Sequence, residues 1–450
     1  MKVIEPATEK VLAEVSEASM EDADRAVARA RAAFPAWRAV SPGDRARLLR
    51  RFAVAVEGEA EKLAQLEARN VGKPIADARG EVGMVVSVLD YYAGAPERLL
   101  GDTIPVAGGV DMTFREPLGV VGLIVPWNFP IAITSWKVGP ALAAGNTIVL
   151  KPAALTPLTA LQLERIALEA GIPEGVLNVV IGAGRTVGER LVQHPDVAKI
   201  AFTGSTEVGR RIGALAAESI KRVTLELGGK SANIVFADAD LEQAAASAPL
   251  AVFGNAGQDC CARSRILVER RAVDRFMKAL EVAVKALRVG DPLDEQTEMG
   301  PLVSAEQRSK VASYLDDGAR VAIRGGAPSG PGYWFPPTVL SPVSPTDRVA
   351  REEIFGPIVA VIPFEDEADA IRIANDTVYG LSGSVWTTNA ARAFRVARAL
   401  ETGTISINSN TSVRVTTPFG GFKQSGIGRE LGPRALEHYT ELKNVFLSTS

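Results

Sequence analysis

The chain has 450 residues, of which 47% are hydrophobic and 23% are charged, and its formal net charge is -3. This length exceeds one ordinary hydrophobic core, so we expect two or three domains. The nearly balanced charge excludes the basic surface typical of a nucleic-acid-binding protein. The longest apolar stretch, residues 118–126, is far shorter than a membrane span and contains glycine and proline, so no membrane association is predicted.

The two cysteines of the chain, Cys260 and Cys261, are adjacent. Neighbouring cysteines rarely bond to each other because their Cβ atoms point apart, so we expect no disulfide framework. The first ten residues lack the basic and apolar segments of a signal peptide. Together these features predict a cytoplasmic protein.

Two histidines, His194 and His438, occur, and neither lies in a glycine-rich or cysteine-containing motif. We expect both to be structural or exposed. A Ser/His/Asp or Cys/His hydrolase and a histidine-rich metal site are therefore disfavoured, and no metal is predicted.

Hydrophobic spacing predicts helices over roughly the first ninety residues, at 19–36, 43–70 and 76–94. Residues 101–117 alternate and contain two successive glycines, which predicts a hairpin or ribbon. From residue 119, apolar strands alternate with helices, which indicates a parallel sheet covered on both faces. The predicted strands are 119–125, 146–150, 176–181, 199–202 and 222–225, and the predicted helices are 156–170, 184–194 and 206–217.

A second α/β series begins at residues 231–236 and continues to about residue 408. The predicted fold class is therefore α/β, and the β-prone tail, 444–450, is expected to add to another sheet. The elements predicted in this second series are helices at 241–253, 272–287 and 390–400 and a strand at 358–362.

A thiol follows the break after the predicted helix 241–253, in the sequence Gly-Gln-Asp-Cys-Cys that ends at Cys261. A cysteine in such a turn is accessible, and nearby amides can lower its pKa. The alternative is a small buried hydrophobic residue, which is the usual role of cysteine. Composition does not decide which of the two thiols is reactive.

Two further segments carry polar groups at strand ends. Glu226 lies between two leucines before Gly228 and Gly229, where partial burial raises a carboxyl pKa towards that of a general base. Asn128 lies in the sequence Pro-Trp-Asn-Phe-Pro after a buried strand, where its amide can donate to an oxyanion. The alternatives are an exposed turn glutamate and a turn held by two prolines.

The segment 202–209, Phe-Thr-Gly-Ser-Thr-Glu-Val-Gly, predicts a strand, a glycine turn and a helix. Such an arrangement offers backbone N–H groups and a helix N-terminus to a pyrophosphate. The segment 182–188 resembles the dinucleotide fingerprint but misses the third glycine by one residue. We interpret it as a tight turn at the edge of a cofactor site.

Taken together, these motifs resemble those of the aldehyde dehydrogenase superfamily, in the family order and over essentially the whole chain. The matching segments are PWNFP (126–130), KPAALTP (151–157), FTGSTEVG (202–209), LELGGK (225–230), GQDCCARSR (257–265), EEIFGP (352–357) and PFGGFKQSGIGREL (418–431).

The resemblance implies a nicotinamide-dependent enzyme that oxidises an aldehyde through a covalent thioester. The family pattern G-Q-x-C selects Cys260 as the nucleophile. Asn128 is then similar to the oxyanion donor and Glu226 to the base that activates water. Lys137 and Glu430 match positions that relay protons from Glu226.

The resemblance also implies an NAD or NADP site and a substrate tunnel. The cofactor residues implied are Val125, Pro126, Trp127, Lys151, Ala154, Gly184, Phe202, Gly204, Ser205, Val208, Leu227, Gly228, Glu353 and Phe355. The tunnel residues implied are Phe129, Trp136, Asp259, Cys261, Val413, Arg414 and Phe419.

Three departures from the family pattern bear on specificity. Ala154 replaces a glutamate that would repel a 2′-phosphate, so we expect both cofactors to work, with NAD slightly favoured. An early strand or ribbon is expected to be missing at the N-terminus. Asp259 favours an aminoaldehyde such as 4-aminobutyraldehyde, whereas Arg414 favours a carboxylated semialdehyde. A broad aldehyde specificity, with Asp259 and Arg414 paired or exposed, is the third alternative.

By resemblance, the fold combines a Rossmann-type cofactor domain (1–98 and 118–228), a catalytic domain (229–438) and a β oligomerisation ribbon (99–117 and 439–450). Such a ribbon is stable against another subunit, so we expect a homodimer or homotetramer. Glu226 disfavours an enzyme that passes the acyl group to coenzyme A. An inactive binding protein and a hydrolase that uses Cys260 alone are the remaining alternatives.

Overall fold

The structure is a computed structural model, and the residues described are 1–315, 318, 320–411 and 413–449. The strands are β1 (Lys2–Glu5), β2 (Lys10–Glu14), β3 (Thr103–Val106), β4 (Gly109–Pro117), β5 (Val120–Ile124), β6 (Thr147–Lys151), β7 (Leu177–Val179), β8 (Val197–Thr203), β9 (Arg222–Glu226), β10 (Ala232–Val235), β11 (Arg265–Glu269), β12 (Val321–Arg324), β13 (Thr338–Leu340), β14 (Ile358–Phe364), β15 (Tyr379–Gly380), β16 (Ser382–Trp386), β17 (Thr404–Ile407), β18 (Phe422–Lys423), β19 (Gly426–Ile427) and β20 (Thr440–Ser448). The α-helices are α1 (Met20–Ala39), α2 (Pro42–Gly58), α3 (Ala60–Val71), α4 (Ile75–Ala93), α5 (Pro130–Ala143), α6 (Leu158–Glu169), α7 (Glu189–Gln193), α8 (Thr206–Ala217), α9 (Leu241–Phe253), α10 (Val273–Ala286), α11 (Ala305–Ala312), α12 (Arg348–Arg351), α13 (Glu367–Asn375) and α14 (Ala390–Ala399).

The N-terminal residues form an antiparallel hairpin of β1 and β2, and helices begin only at α1. The expectation of helices over roughly the first ninety residues is therefore wrong for these two strands. The hairpin is fixed because Val3 is buried and Arg69 of α3 donates to Glu5 at 2.6 Å. The predicted helix 43–70 is likewise two helices, which meet at Glu59.

The first large sheet has the order β19-β9-β8-β5-β6-β7. Strands β5 to β9 are mutually parallel, and β19 is antiparallel to β9. The carboxyl ends of parallel strands meet at one edge, which is where open α/β sheets bind ligands. The loop after β5 carries Asn128, the turn after β8 carries Ser205, and β9 ends on Glu226.

Helix α5 connects β5 to β6 and was not predicted. All its residues are buried, so its sequence shows no alternation between apolar and polar faces. A helix that is apolar all round gives no 3.6-residue period, and its isoleucines and threonine resemble a strand.

The second large sheet has the order β12-β13-β14-β11-β10-β16-β17, with only β12 antiparallel to its neighbour. Strands β10 and β11 lie side by side, and the loop that contains Cys260 precedes β11. Both central sheets are thus parallel in their main part, as the predicted α/β class requires.

The third sheet is a three-stranded ribbon of β20, β4 and β3, in which β20 pairs with the whole length of β4. The predicted hairpin at 101–117 and the added tail strand are both confirmed as secondary structure, although Ser450 lies outside the described residues. Residues 433–439 pack into the first core, and β19 joins the first sheet. The predicted domain boundaries stay a prediction.

Candidate active site

The loop that contains Cys260 connects α9 to β11 and begins with an unusual turn. Asn255, Ala256 and Gly257 have φ of 49°, 56° and 69° in succession, in the left-handed region. At Gly257 a Cβ atom would lie 2.3 Å from the carbonyl oxygen of Gly356, so only glycine fits there. The turn carries Cys260 to a half-buried position, while Cys261 is buried.

The surroundings of Cys260 raise the pKa of its thiol well above the usual range. The largest cause is a hydrogen bond with the side chain of Cys261, followed by burial and by the charge of Asp259. The expectation that nearby amides lower this pKa is therefore wrong. The neighbouring thiol, burial and the nearby carboxylate all disfavour the thiolate.

Asp259 lies against the two thiols. Its Oδ1 accepts a hydrogen bond from the backbone N–H of Cys261 at 2.8 Å, and burial raises the pKa of its carboxyl group. The positive charges that act on it come from Arg263 and Lys73. Arg414 is exposed in the loop that follows β17.

Asn128 is tied to the loop that contains Cys260 by two buried hydrogen bonds, and a third lies within that loop. Its Nδ2 donates to the carbonyl oxygen of Gln258 at 2.9 Å, and Nδ2 of Asn255 donates to the carbonyl oxygens of Asn128 (3.0 Å) and Gln258 (3.2 Å). An amide nitrogen carries two hydrogens, so one remains for an oxyanion next to Cys260.

Lys73 supports the same turn from its other side. Its Nζ donates to the carbonyl oxygen of Asn128 at 2.9 Å and lies 4.5 Å from the ring centroid of Phe129. It also forms ion pairs with Glu81 and, at 3.7 Å, with Glu67. The sequence analysis missed this lysine, which lies just after the predicted helix 43–70 and whose partners are distant in the sequence.

Glu226 is buried at the end of β9, and neither of its carboxylate oxygens has a hydrogen-bond partner among the described residues. Burial, and then the charge of Glu430, raise its pKa well above the usual range. Glu430 forms a buried ion pair with Lys137. The structure therefore brings together the three residues that were expected to handle protons.

A cavity of about 490 Å³ opens at the carboxyl edge of the first sheet, and Cys260 and Asn128 line it. Every predicted cofactor residue except Ala154 lines it too; Ala153 does so instead. The lining residues that the sequence analysis missed are Ile124, Ala153, Arg185, Gly188, Glu189, Thr203, Glu207, Arg211, Ile212, Gln307 and Lys310.

The residues of this cavity fit a dinucleotide. Helix α8 begins there, and Ser205 caps it by accepting from the N–H of Val208 at 3.3 Å, so the first turn presents N–H groups to a pyrophosphate. Burial lowers the pKa of Lys151 to about 8 and raises that of Glu353 to about 7. Both side chains line the cavity and offer hydrogen-bonding atoms to the hydroxyls of a dinucleotide.

Aromatic rings flank the end of the cavity near Cys260. The rings of Trp127 and Phe355 pack edge to face with centroids 5.1 Å apart. At Gly228 a Cβ atom would lie 2.5 Å from Oε2 of Glu353, so a side chain at position 228 would collide with the Glu353 carboxylate. This end suits a flat ring held next to the thiol.

The residues predicted to form the substrate tunnel do not line this cavity. Trp136, Cys261 and Phe419 are buried in the first core, and the rings of Trp136 and Phe419 have centroids 5.3 Å apart. The partly buried residues packed against that core include Phe129, Cys260 and Val413. Since none of the predicted tunnel residues is among those lining the cavity, Cys260 lies between the cavity and a separate apolar cluster.

A half-buried thiol between a dinucleotide cavity and an apolar cluster defines the class as a nicotinamide-dependent oxidoreductase with a cysteine nucleophile. Comparison with known proteins agrees. The sequence profile of the aldehyde dehydrogenase family matches residues 1–445. The chain therefore belongs to this family, and it is an NAD(P)-dependent aldehyde dehydrogenase.

Individual relatives are similar over nearly their whole length. An aldehyde dehydrogenase of Emericella nidulans is 46% identical over 99% of this chain and 91% of its own. A betaine aldehyde dehydrogenase of Bacillus subtilis is 42% identical over 99% of this chain and 94% of its own. The crystal structure of PnpE, from Pseudomonas sp. WBC-3, in complex with nicotinamide adenine dinucleotide has a TM-score of 0.98 and 45% identity, covering 100% of this chain and 94% of PnpE. Every helix in the described part of the chain is too short or too polar to span a membrane.

The contacts of Lys73 yield a prediction. We expect Lys73→Met to lower kcat roughly 10- to 100-fold, because it releases the backbone of Asn128 and leaves Glu67 and Glu81 without their cation. Steady-state kinetics should show a smaller change in KM for NAD. Lys62→Met, at an exposed position of α3, is the matched control; equal kcat values for the two variants would contradict the prediction.

Proposed function

We propose that Cys260 forms a covalent adduct with the aldehyde, from which the nicotinamide cofactor would accept a hydride, and that water activated by Glu226 releases the acid. The observation that carries this proposal is the position of Cys260, which lines the cofactor cavity and packs against the apolar cluster. Asn128 supports the oxyanion, and the ion pair of Lys137 and Glu430 accepts protons from Glu226.

The chemistry follows from these positions. The sulfur of Cys260 adds to the aldehyde carbon, and Nδ2 of Asn128 donates to the resulting oxyanion. The bound nicotinamide supplies a hydride acceptor. Once the adduct has become a thioester, Glu226 takes a proton from water, the water oxygen bonds to the acyl carbon, and the C–S bond breaks to return the sulfur.

This mechanism predicts a pH dependence. Cys260 and Glu226 both act in their deprotonated forms, and the pKa of each is raised, so activity should increase with pH through both values.

We expect Glu226→Gln to keep a single-turnover burst of NADH but to lose steady-state turnover. Cys260→Ala should abolish both, and Cys261→Ala should retain them. A steady-state rate for Glu226→Gln close to that of the parent would contradict the assignment.

We propose an aminoaldehyde such as 4-aminobutyraldehyde as the substrate. Asp259 places a carboxylate next to the nucleophile, where it attracts an ammonium group. Relatives that include betaine aldehyde dehydrogenases support this class. A succinic-semialdehyde-type or broad specificity is the second candidate, favoured by the exposed Arg414 and by the apolar cluster.

The substrate proposal is tested with three aldehydes. We expect Asp259→Asn to lower kcat/KM for 4-aminobutyraldehyde about 10-fold, which corresponds to roughly 1.4 kcal/mol, and to leave the value for hexanal nearly unchanged. Succinic semialdehyde should improve, because a repulsive charge is removed. An equal effect of the substitution on all three aldehydes would show that Asp259 does not select the substrate.

We propose that both nicotinamide cofactors work, with NAD slightly favoured. Ala154 carries no carboxylate that would repel a 2′-phosphate, and Arg185 and Arg211 line the cavity. Arg211 is paired with Glu189 through Nε at 2.6 Å, which reduces its pull on a phosphate.

The cofactor proposal is tested with one substitution. We expect Ala154→Glu to lower kcat/KM for NADP at least about 10-fold and to change that for NAD much less, because a carboxylate repels the phosphate. Leu155→Glu, which introduces the same charge at an exposed neighbouring residue that does not line the cavity, is the matched control. A parent enzyme that prefers NAD by a thousandfold would overturn the proposal.

Alternative outcomes for the acyl group are distinguished by the product. An enzyme that passes it to coenzyme A would need no water-activating base, and the buried Glu226 argues against that course. Nicotinamide-independent turnover would indicate a simple hydrolase, and the absence of any turnover a binding protein.

We propose a homodimer or homotetramer assembled through the ribbon. Phe114, Leu442 and Phe446 of the ribbon are about half exposed, and among the described strands β20 has one unpaired edge. Exposed apolar side chains on a strand edge are stable when another subunit covers them.

A cytoplasmic location also stays a prediction; both cysteines are free thiols, which suits it.

The assembly is tested by light scattering at micromolar concentration. We expect Phe446→Asp to shift the parent oligomer towards a smaller species, because it places a charge in the covered face. Phe394→Asp, at a more exposed phenylalanine of α14, is the matched control and should not change the mass. A monomeric parent would contradict the proposal.

A further inference from the structure

Three side chains at the nucleophile form a compact set of metal-ligand atoms. A carboxylate oxygen of Asp259 and the sulfurs of Cys260 and Cys261 all lie within 4.8 Å of one another. In a tetrahedral zinc site, bond lengths place sulfur and oxygen ligands roughly 3.5–3.8 Å apart. Small rotations of these side chains therefore suffice to bring all three onto one ion.

The backbone already holds these ligands in one orientation. The N–H of Cys261 donates to Oδ1 of Asp259 at 2.8 Å, and Nη1 of Arg263 donates to the carbonyl oxygen of Cys261 at 2.6 Å. Such outer contacts fix ligand directions and strengthen metal sites. Cys260 lines the cavity, so one side of its sulfur is open to a further ligand from solvent.

The charges are consistent with a bound cation. Two thiolates and one carboxylate carry three negative charges, and a divalent ion neutralises two of them. Arg263 and Lys73 act on Asp259 and compensate the remaining charge. Sulfur ligands prefer soft ions such as zinc and cadmium to magnesium or calcium.

We propose that Asp259, Cys260 and Cys261 bind one thiophilic divalent cation, zinc or cadmium, and that the bound ion inhibits the enzyme. Each thiol releases its proton to solvent as its sulfur bonds to the metal. The sulfur of Cys260 is then committed to the metal and does not add to an aldehyde. A water from the cavity supplies the fourth ligand. The inhibition rests on the proposed role of Cys260; the binding does not.

The experiment titrates the metal-free, full-length enzyme with zinc chloride in competition with a chromophoric chelator. We expect one zinc per subunit, a loss of activity that follows occupancy, and recovery with EDTA. Cadmium chloride should produce the ultraviolet absorption of two thiolate ligands. Absence of a stoichiometric site, or absorption from a single thiolate, would overturn the proposal.

Variants separate a three-ligand site from a single reactive thiol. We expect Cys261→Ser and Asp259→Asn each to weaken zinc binding by about 10- to 100-fold or more. Asp376→Asn, at a surface carboxylate paired with Arg351, is the matched control and should bind zinc as the parent does. Unchanged zinc affinity in Cys261→Ser and Asp259→Asn would overturn the site.

Alkylation needs no variant to fold. In the parent enzyme, zinc should protect both Cys260 and Cys261 from iodoacetamide, read by mass spectrometry; protection of Cys260 alone would overturn the proposal. The two proposals also fail separately. If Cys260→Ala retained activity, the catalytic assignment would fall, whereas stoichiometric zinc on the parent would still support the metal site.

Discussion

The site depends on one buried hydrogen-bond cluster that joins the two large sheets. Asn128 follows a strand of the first sheet, whereas Asn255 and Gln258 precede a strand of the second. A buried polar group left without a partner costs about 1–3 kcal/mol, so these three groups hold one another in place. Because Cys260 follows Gln258 by two residues, the same bonds fix Asn128, the proposed oxyanion donor, against Cys260, the proposed nucleophile. Lys73 then secures the Asn128 end of the cluster.

A second connection between distant parts of the chain determines the surroundings of Glu226. The segment after residue 418 returns to the first sheet, where Gly426 pairs with Glu226 in the β9–β19 ladder. Ser425 donates to the carbonyl oxygen of Gly228 at 2.6 Å and accepts from the N–H of Gly380 at 2.9 Å. This return places Glu430 near Glu226, and burial with a second carboxylate raises the pKa of Glu226. The acid–base behaviour of this residue is therefore a property of the tertiary structure.

The features that the sequence predicted correctly are those that depend on residues close together in the chain. The turn after β8 and its capping serine lie within a few residues, and every predicted cofactor residue except Ala154 lines the cavity, although eleven other lining residues were not predicted. Features that depend on distant partners were not predicted. Lys73 contacts a carbonyl group 55 residues away, and nothing in its own segment indicates that partner. Helix α5 was missed because burial on every side removes the period that reveals a helix.

The pKa of the Cys260 thiol is raised by its hydrogen bond with Cys261, by burial and by the charge of Asp259, so the presence of a carboxylate next to this thiol needs an explanation. A negative charge next to a thiol disfavours the thiolate, so Asp259 by itself makes the nucleophile less available. An approaching positive charge reverses this effect, because it stabilises both the carboxylate and the thiolate. The ammonium group of an aminoaldehyde and a thiophilic cation offer that charge at the same atoms. Substrate and metal should therefore exclude each other, and a cationic aldehyde should protect the site from zinc better than a neutral aldehyde of the same length.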